Sequence, residues 1–170
     1  MDSGVAAVMG AAVGVVGTTL AAAVAGLSAQ RQIRAEHRHW RRQLRRDAYS
    51  AFTAKADELH KSLKEINAEL IRPGADLDAL RESVAGARAS LHGGLADAQA
   101  TVEIEGPEKL ARMAEELCRS LSACIAAISG ATLRQGAGAV TETQGARRFL
   151  DHASSKRSQF VEHARKTIDV

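Results

Sequence analysis

The fold is decided most clearly between Pro107 and Arg134, which read PEKLARMAEELCRSLSACIAAISGATLR. Apolar or small side chains recur there every three or four residues, which is the spacing of one face of an α-helix. These positions are Leu110, Ala114, Leu117, Leu121, Cys124, Ile128 and Ala131. Proline suits the first turn of a helix, because the N–H that it lacks has no partner there. The stretch therefore predicts a helix that buries one apolar seam.

Two segments before this stretch carry a similar heptad-like seam, of the kind also found in coiled coils. The first seam is Tyr49, Phe52, Ala56, Leu59, Leu63, Ile66 and Leu70. The second is Leu77, Leu80, Val84, Ala87, Leu91, Leu95, Ala98 and Val102. A weaker seam follows at Phe149, Ala153, Phe160, Ala164 and Ile168. The chain therefore predicts four helices that each bury one face.

Turn-forming residues separate the four segments. Arg72-Pro73-Gly74 ends the first, because proline disfavours a helical residue before it and glycine tolerates the turn. Gly106-Pro107 ends the second, and Gln135-Gly136-Ala137-Gly138 ends the third. Thr141 with Gln144 three residues later is the pattern of a capping box for the last helix. Helices are therefore expected near 49–71, 76–104, 107–134 and 142–169.

Composition supports an all-α fold class. Aromatic residues make up 3% of the chain and there are two prolines, whereas alanine, leucine, glutamate and arginine are abundant. This mixture favours helix and disfavours a β-sandwich or barrel. Because short connections make neighbouring helices antiparallel, we expect residues 49–170 to form an antiparallel four-helix bundle.

Residues 4–27 form the longest uncharged stretch, 24 residues of mostly Ala, Val and Gly. As a helix this stretch would extend roughly 36 Å, enough for a hydrocarbon core of about 30 Å. We interpret it as an N-terminal transmembrane helix. Two alternatives stay open, a signal peptide cleaved after Ala25 and a buried helix of a soluble oligomer. Asp2 in place of a basic residue, and the arginines that follow, argue against the signal peptide.

Residues 28–48 form an arginine-rich juxtamembrane stalk. Seven arginines stand against Glu36 and Asp47, which gives this stretch a net charge of +5. Basic residues beside a transmembrane helix favour the cytoplasmic side. The predicted topology therefore has residues 1–3 outside, residues 4–27 in the plasma membrane, and the bundle of residues 49–170 in the cytoplasm. The membrane helix would continue through the stalk into the first bundle helix.

The stalk is also the leading candidate for a binding site. Arginines beside tryptophan suit the anionic headgroups of the inner leaflet. The predicted lipid-contact residues are Arg31, Arg34, Arg38, Trp40, Arg41, Arg42, Arg45 and Arg46. A simpler alternative is that these arginines only set the membrane topology. Contact with nucleic acid is not expected, because the stalk lacks interleaved aromatic residues and a recognition helix.

A row of small residues follows one face of the uncharged segment. The row is Ala6, Gly10, Gly14, Thr18, Ala22 and Gly26. Small residues at every fourth position allow two membrane helices to approach closely, as in the GxxxG motif. The row therefore predicts a packing face, and with it a homo-oligomer as one possible partner arrangement.

Motifs for catalysis and for cofactors are absent from the sequence. His37 and His39 lie about 200° apart on a helix, so they do not converge on a metal. Cys118 and Cys124 are also on different sides of their helix, which suits small core residues in a reducing compartment. Gly136-Ala137-Gly138 lacks the third glycine and the preceding strand of a dinucleotide-binding motif. We therefore expect no catalytic site, no metal and no cofactor.

Two stretches carry a resemblance to known proteins. They are Trp40-Arg41-Arg42 with Arg45-Arg46-Asp47-Ala48-Tyr49 and Phe52, and Val102-Glu103-Ile104-Glu105-Gly106-Pro107. With the small span and arginine run before them, the chain resembles a broad set of uncharacterised small membrane proteins of actinobacteria. The resemblance implies a single span and a helical bundle, and it implies no activity.

Three functions are compatible with this layout. The first is a non-enzymatic, membrane-tethered interaction or scaffold module that presents a helical surface to a protein partner at the inner leaflet. The second is a self-assembling membrane protein whose Gly- and Ala-rich spans form an oligomer or a pore. The third is a sensor that binds a small ligand within the bundle. Crosslinking in membranes separates the first two, because self-assembly would survive removal of the bundle.

Overall fold

The computed structural model describes residues 3–133 and 137–168, with side chains at 36–37, 39–133 and 143–168. Every regular element in these ranges is a helix, which confirms the all-α prediction for them. The chain divides into two units, Met1–Gln43 and Leu44–Val170, which are described separately.

Five α-helices and one π-helical turn lie within the described ranges. Their bounds are α1 Ser3–Leu70, α2 Leu77–Ser90, the π turn Leu91–Leu95, α3 Ala96–Glu105, α4 Glu108–Leu133 and α5 Ala137–Ile168. The predicted helix at 76–104 is therefore interrupted by a π turn, and it is kinked there, because Gly93 has non-helical backbone angles (φ −99°, ψ −105°). The expected capping box is also wrong, because α5 begins at Ala137 and Thr141 lies inside it. Gly138 is expected to belong to a loop, but a glycine in a helix costs only about 1 kcal/mol. Packing of the rest of α5 offsets that cost.

Within Leu44–Val170, α1 packs antiparallel to α5. The rings of Tyr49 and Phe52 lie 6.0 and 5.0 Å from the ring of Phe160. Farther along α1, His60 contacts the carbonyl oxygen of Leu150 at 3.1 Å. The residue numbers rise on α1 as they fall on α5, so the two helices run in opposite directions.

Contacts between side chains also show which of the other helices are neighbours and that they run antiparallel. On α2, Arg81 donates to the Thr132 carbonyl oxygen and Arg88 to the Ser129 hydroxyl, both on α4. On α4, Glu116 accepts from Lys156 of α5 at 2.6 Å.

A second contact between α4 and α5 agrees with their antiparallel order. The Cys124 thiol on α4 lies 3.6 Å from the Ala146 carbonyl oxygen on α5. Arg45 reaches Glu105 at the end of α3, while a Cβ placed on Gly94 would meet Lys55 at 3.7 Å. Residues Leu44–Val170 thus form an antiparallel bundle in which α1 neighbours α5 and the α2–α3 segment, and α4 lies diagonally opposite α1.

The core runs along the middle of this bundle. Its largest fully buried side chains are Phe52, Leu63, Leu95, Val102, Leu110, Leu117, Leu121, Cys124, Ile128 and Phe160. The turn before α2 is held locally, because Asp76 accepts from the N–H groups of Asp78 and Ala79. Gly74 adopts a φ of +78°, a conformation that glycine reaches without steric cost.

No helix is long and apolar enough to cross a membrane within the part of the chain whose side chains are described. The predicted span at residues 4–27 and its row of small residues lie outside that part. Both stay predictions from the sequence.

Candidate functional site

Three of the predicted lipid-contact residues within Met1–Gln43 have described side chains. Trp40 is 59% exposed, and Arg41 and Arg42 are exposed on the same helix. Neither arginine has an ion-pair partner among the described residues. The side chains of Arg31, Arg34 and Arg38 lie outside the described residues. The structure therefore leaves Trp40, Arg41 and Arg42 free to meet a surface.

Arg45 differs from its neighbours because it is bound to the bundle. It is half-buried, and its Nε donates to the carbonyl oxygen of Glu105, the last residue of α3, at 2.9 Å. The last carbonyl groups of a helix lack partners within the helix, and a cation there is favoured by the helix dipole. We therefore assign Arg45 a structural role. Arg46, the next residue, is exposed.

Tyr49 follows Arg45 by one turn on α1, and its hydroxyl lies near Gly106, the residue after α3. Its side chain is 3% exposed, and its hydroxyl has no hydrogen-bond partner among the described residues. Burial raises the pKa of the hydroxyl; the Arg45 charge acts against that rise and the Glu105 charge adds to it. A Cβ on Gly106 would lie 2.7 Å from the Val102 carbonyl oxygen and 3.1 Å from this hydroxyl, so a larger residue would force the chain to shift.

A groove of about 550 Å³ follows the seam between α1 and α5 beside Tyr49. Arg46 borders it from α1 and Arg165 borders it from α5. Both arginines are exposed and have no ion-pair partner in the described part of the chain. Val161 and Ile168 supply apolar lining between them. We call this surface, formed by Arg46, Arg165, Val161 and Ile168, the basic groove.

The basic groove is only partly visible in the sequence. Arg46 belongs to the predicted stalk, whereas Arg165 lies more than one hundred residues later, within the weakest of the four seams. Nothing in the local pattern connects the two arginines. Only the antiparallel packing of α1 and α5 brings them to one groove.

The cysteines are poorly suited to reaction in the folded protein. Burial raises the pKa of the Cys124 thiol to about 12. Burial, with smaller effects of the Glu103 and Glu115 carboxylates, also raises the pKa of Cys118 to about 12. Since the thiolate is the reactive form, both thiols are held in the inert state at neutral pH.

Metal chemistry has no visible site in the side chains that the structure describes. They contain no cluster of three or more His, Cys, Asp or Glu residues able to hold a metal ion. His37 and His39 are both exposed. Many charged side chains instead form ion pairs with one another; Arg157, for example, donates from Nη2 to Asp57 at 2.6 Å.

Comparison with known proteins adds no relative. No family model, no curated protein and no solved structure matches the chain.

Proposed function

We propose that this chain is a non-enzymatic, membrane-tethered helical module that holds a bundle at the anionic inner leaflet for interaction with a protein partner. The observation that carries the proposal is the state of Arg41, Arg42 and Arg46. All three are exposed and lack ion-pair partners among the described residues. They lie 14, 15 and 19 residues after Leu27, the last residue of the uncharged stretch 4–27.

The electrostatics favour a role of these arginines in binding a lipid surface over a role in setting the membrane topology alone. Each arginine near an anionic leaflet contributes about 1 kcal/mol, and the attraction fades beyond a Debye length. Trp40 adds an exposed amphipathic ring of the kind that is enriched at membrane interfaces. Arg165 adds a second positive charge opposite Arg46 in the basic groove. The bundle unit therefore contributes to binding as well as the stalk.

The predicted span supplies the tether in this proposal, with the N-terminus outside and the bundle in the cytoplasm. The bundle itself supplies the interaction surface, because its core is filled by side chains of its own helices. The raised pKa values of both thiols support a role without nucleophilic chemistry.

The test uses residues 28–170, without the uncharged stretch, and vesicles with and without phosphatidylglycerol. The variant carries Arg41→Gln, Arg42→Gln and Arg46→Gln. The control variant carries Arg72→Gln, Arg147→Gln and Arg148→Gln, three exposed arginines in the half of the bundle where α1 ends. Both variants lose the same charge, and glutamine and arginine have similar helix propensities.

The parent fragment should bind anionic vesicles and ignore neutral ones, and added salt should weaken its binding. The first variant should bind roughly one hundredfold more weakly, as expected from three contributions of about 1 kcal/mol each. The control should bind nearly as well as the parent fragment. Equal losses in both variants would reduce the effect to net charge, and failure of the parent fragment to bind would remove the lipid role. Binding to DNA with a steep salt dependence would instead favour a nucleic-acid partner.

A further inference from the structure

A second cleft, separate from the basic groove, opens between α1 and α5 toward the end of α1. Its volume is about 360 Å³, which is within the range of small-molecule sites in proteins. His60, Lys64 and Asn67 line it from α1. Arg147 and Asp151 line it from α5. The cleft is therefore a polar site formed by two facing helices.

Asn67 is the least expected residue in this cleft. Its side chain is buried, at 6% exposure, and its Oδ1 has no hydrogen-bond partner within the described residues. Leaving a buried acceptor unpaired is costly, and most buried polar groups in proteins are hydrogen-bonded. An N–H or O–H group from a bound molecule would remove that cost. Because Oδ1 is itself enclosed by protein atoms in the ligand-free chain, such a donor would reach it when the Asn67 side chain turns toward the cleft. Asn67 therefore points to a ligand that carries a donor.

Two basic side chains in the cleft indicate that the ligand is also anionic. Lys64 and Arg147 are exposed and face the cleft from opposite helices, and neither has an ion-pair partner in the described part of the chain. Arg147 stays unpaired even though Asp151 lies one turn later on α5. An anionic group between the two helices would meet both charges at once, and charge-assisted hydrogen bonds are the stronger kind.

His60 adds a further acceptor. Its Nε2 lies 3.1 Å from the carbonyl oxygen of Leu150, and since a carbonyl can only accept, Nε2 carries the proton. The other ring nitrogen, Nδ1, is then an acceptor in the neutral imidazole. Ile71, which is 64% exposed, provides apolar surface at the mouth of the cleft.

From these contacts we propose that the cleft binds a small organic anion that carries its own hydrogen-bond donor. The anionic group lies between Lys64 and Arg147, and the donor meets Asn67 Oδ1. A phospholipid headgroup is a different occupant and belongs to the basic groove. This inference does not depend on membrane tethering, so either proposal can fail without the other.

The test is calorimetric titration of the full-length chain, kept in solution with a mild detergent, with three matched probes. Lactate carries both a carboxylate and a hydroxyl donor. Propionate lacks the hydroxyl, and lactamide lacks the charge. Lactate should bind most tightly, and each of the other probes about tenfold more weakly, as expected for loss of one hydrogen bond to a charged or buried group. Equal affinity for lactate and propionate would overturn the assignment of Asn67.

Matched substitutions locate the binding. Lys64→Gln and Arg147→Gln should each weaken lactate binding about tenfold, because each removes one charge-assisted contact. Lys61→Gln and Arg148→Gln, exposed neighbours that do not line the cleft, should leave it unchanged. Because the four side chains are exposed, these variants should fold. Similar losses in the control variants would show general charge attraction and overturn the site.

Asn67→Leu separates a binding role from a structural one. Because the variant removes an unpaired buried acceptor, it should raise the melting temperature of the ligand-free chain. It should also abolish the preference for lactate over propionate. A lower melting temperature, with the preference retained, would show that Asn67 has a structural partner and would contradict the proposal.

Discussion

Leu121 has no solvent exposure and lies in the middle of α4, where it contributes to the centre of the core. Leu121→Ala should cost about 2–5 kcal/mol, from lost transfer energy and from the cavity that the smaller side chain leaves. The matched control is Leu133→Ala near the end of the same helix, where the side chain is 74% exposed. That change should cost less than about 0.5 kcal/mol. Urea unfolding of residues 43–170 gives both values, and similar costs would mean that the core is wrongly placed.

Gly106 contributes through the absence of a side chain. A Cβ at this position would lie 2.7 Å from the Val102 carbonyl oxygen and 3.1 Å from the Tyr49 hydroxyl. Gly106→Ala should therefore cost about 1–3 kcal/mol through overpacking.

Gly86 provides the opposite control, since a Cβ placed there meets nothing within 4 Å. Gly86→Ala in α2 should stabilise the fold by about 0.5–1 kcal/mol, because alanine is the better helix former. Thermal and urea unfolding of the two variants should move in opposite directions. A stabilising Gly106→Ala would show that the α3 end and Tyr49 do not approach closely.

Single residues differ in how well their sequence pattern predicts burial. All seven seam positions between Leu110 and Ala131 are buried, because that seam is strongly apolar against a polar background. On α5 the prediction for Phe149 is wrong. Phe149 is 39% exposed, and its neighbour Leu150 is buried instead. The two apolar residues lie about 100° apart, so periodicity alone does not choose between them.

At the scale of elements, the π turn explains a shift in the buried face of the second bundle helix. Buried positions repeat every seven residues from Leu80 to Ala87 and from Val84 to Leu91. The next expected position is residue 94, yet the buried residues are Leu95 and Val102. A π turn contains one extra residue within an α-helix, which accounts for this displacement.

Sequence reasoning could not detect this turn. Steps of three and four residues alternate in any apolar seam, so one extra residue resembles ordinary variation. The paired glycines 93 and 94 are the only local signal, and glycine in a helical pattern has several explanations.

Deletion of Gly93 tests the role of the π turn. The deletion should restore continuous α-helix while keeping Leu95 and Val102 on the buried face, so its cost should stay below about 1 kcal/mol. Deletion of Gly86 is the control, because it rotates the rest of α2 by about 100° relative to the core. That control should be far more destabilising in urea unfolding. Equal costs would show that the turn does not absorb one residue.

At the scale of the whole molecule, charge and packing differ between parts of the chain. Residues 28–48 carry a net charge of +5, whereas residues 1–27 carry one charge. The bundle packs its apolar seams inward and has two separate clefts between α1 and α5. Composition predicts the difference in charge between residues 1–27 and 28–48. It cannot predict the clefts, because Asn67 and Arg147 line one cleft only through the antiparallel packing of α1 and α5.

The central claim is that residues 4–27 anchor the chain in a membrane. The most direct measurement is a carbonate wash of membranes from cells that produce the full-length chain, followed by detection of its C-terminus in the pellet and the supernatant. The account predicts that the full-length chain stays in the pellet, because a transmembrane helix resists extraction that removes peripheral proteins. Recovery of the full-length chain in the supernatant would contradict it. Recovery of a shorter chain that begins at Gly26 would instead support cleavage of a signal peptide.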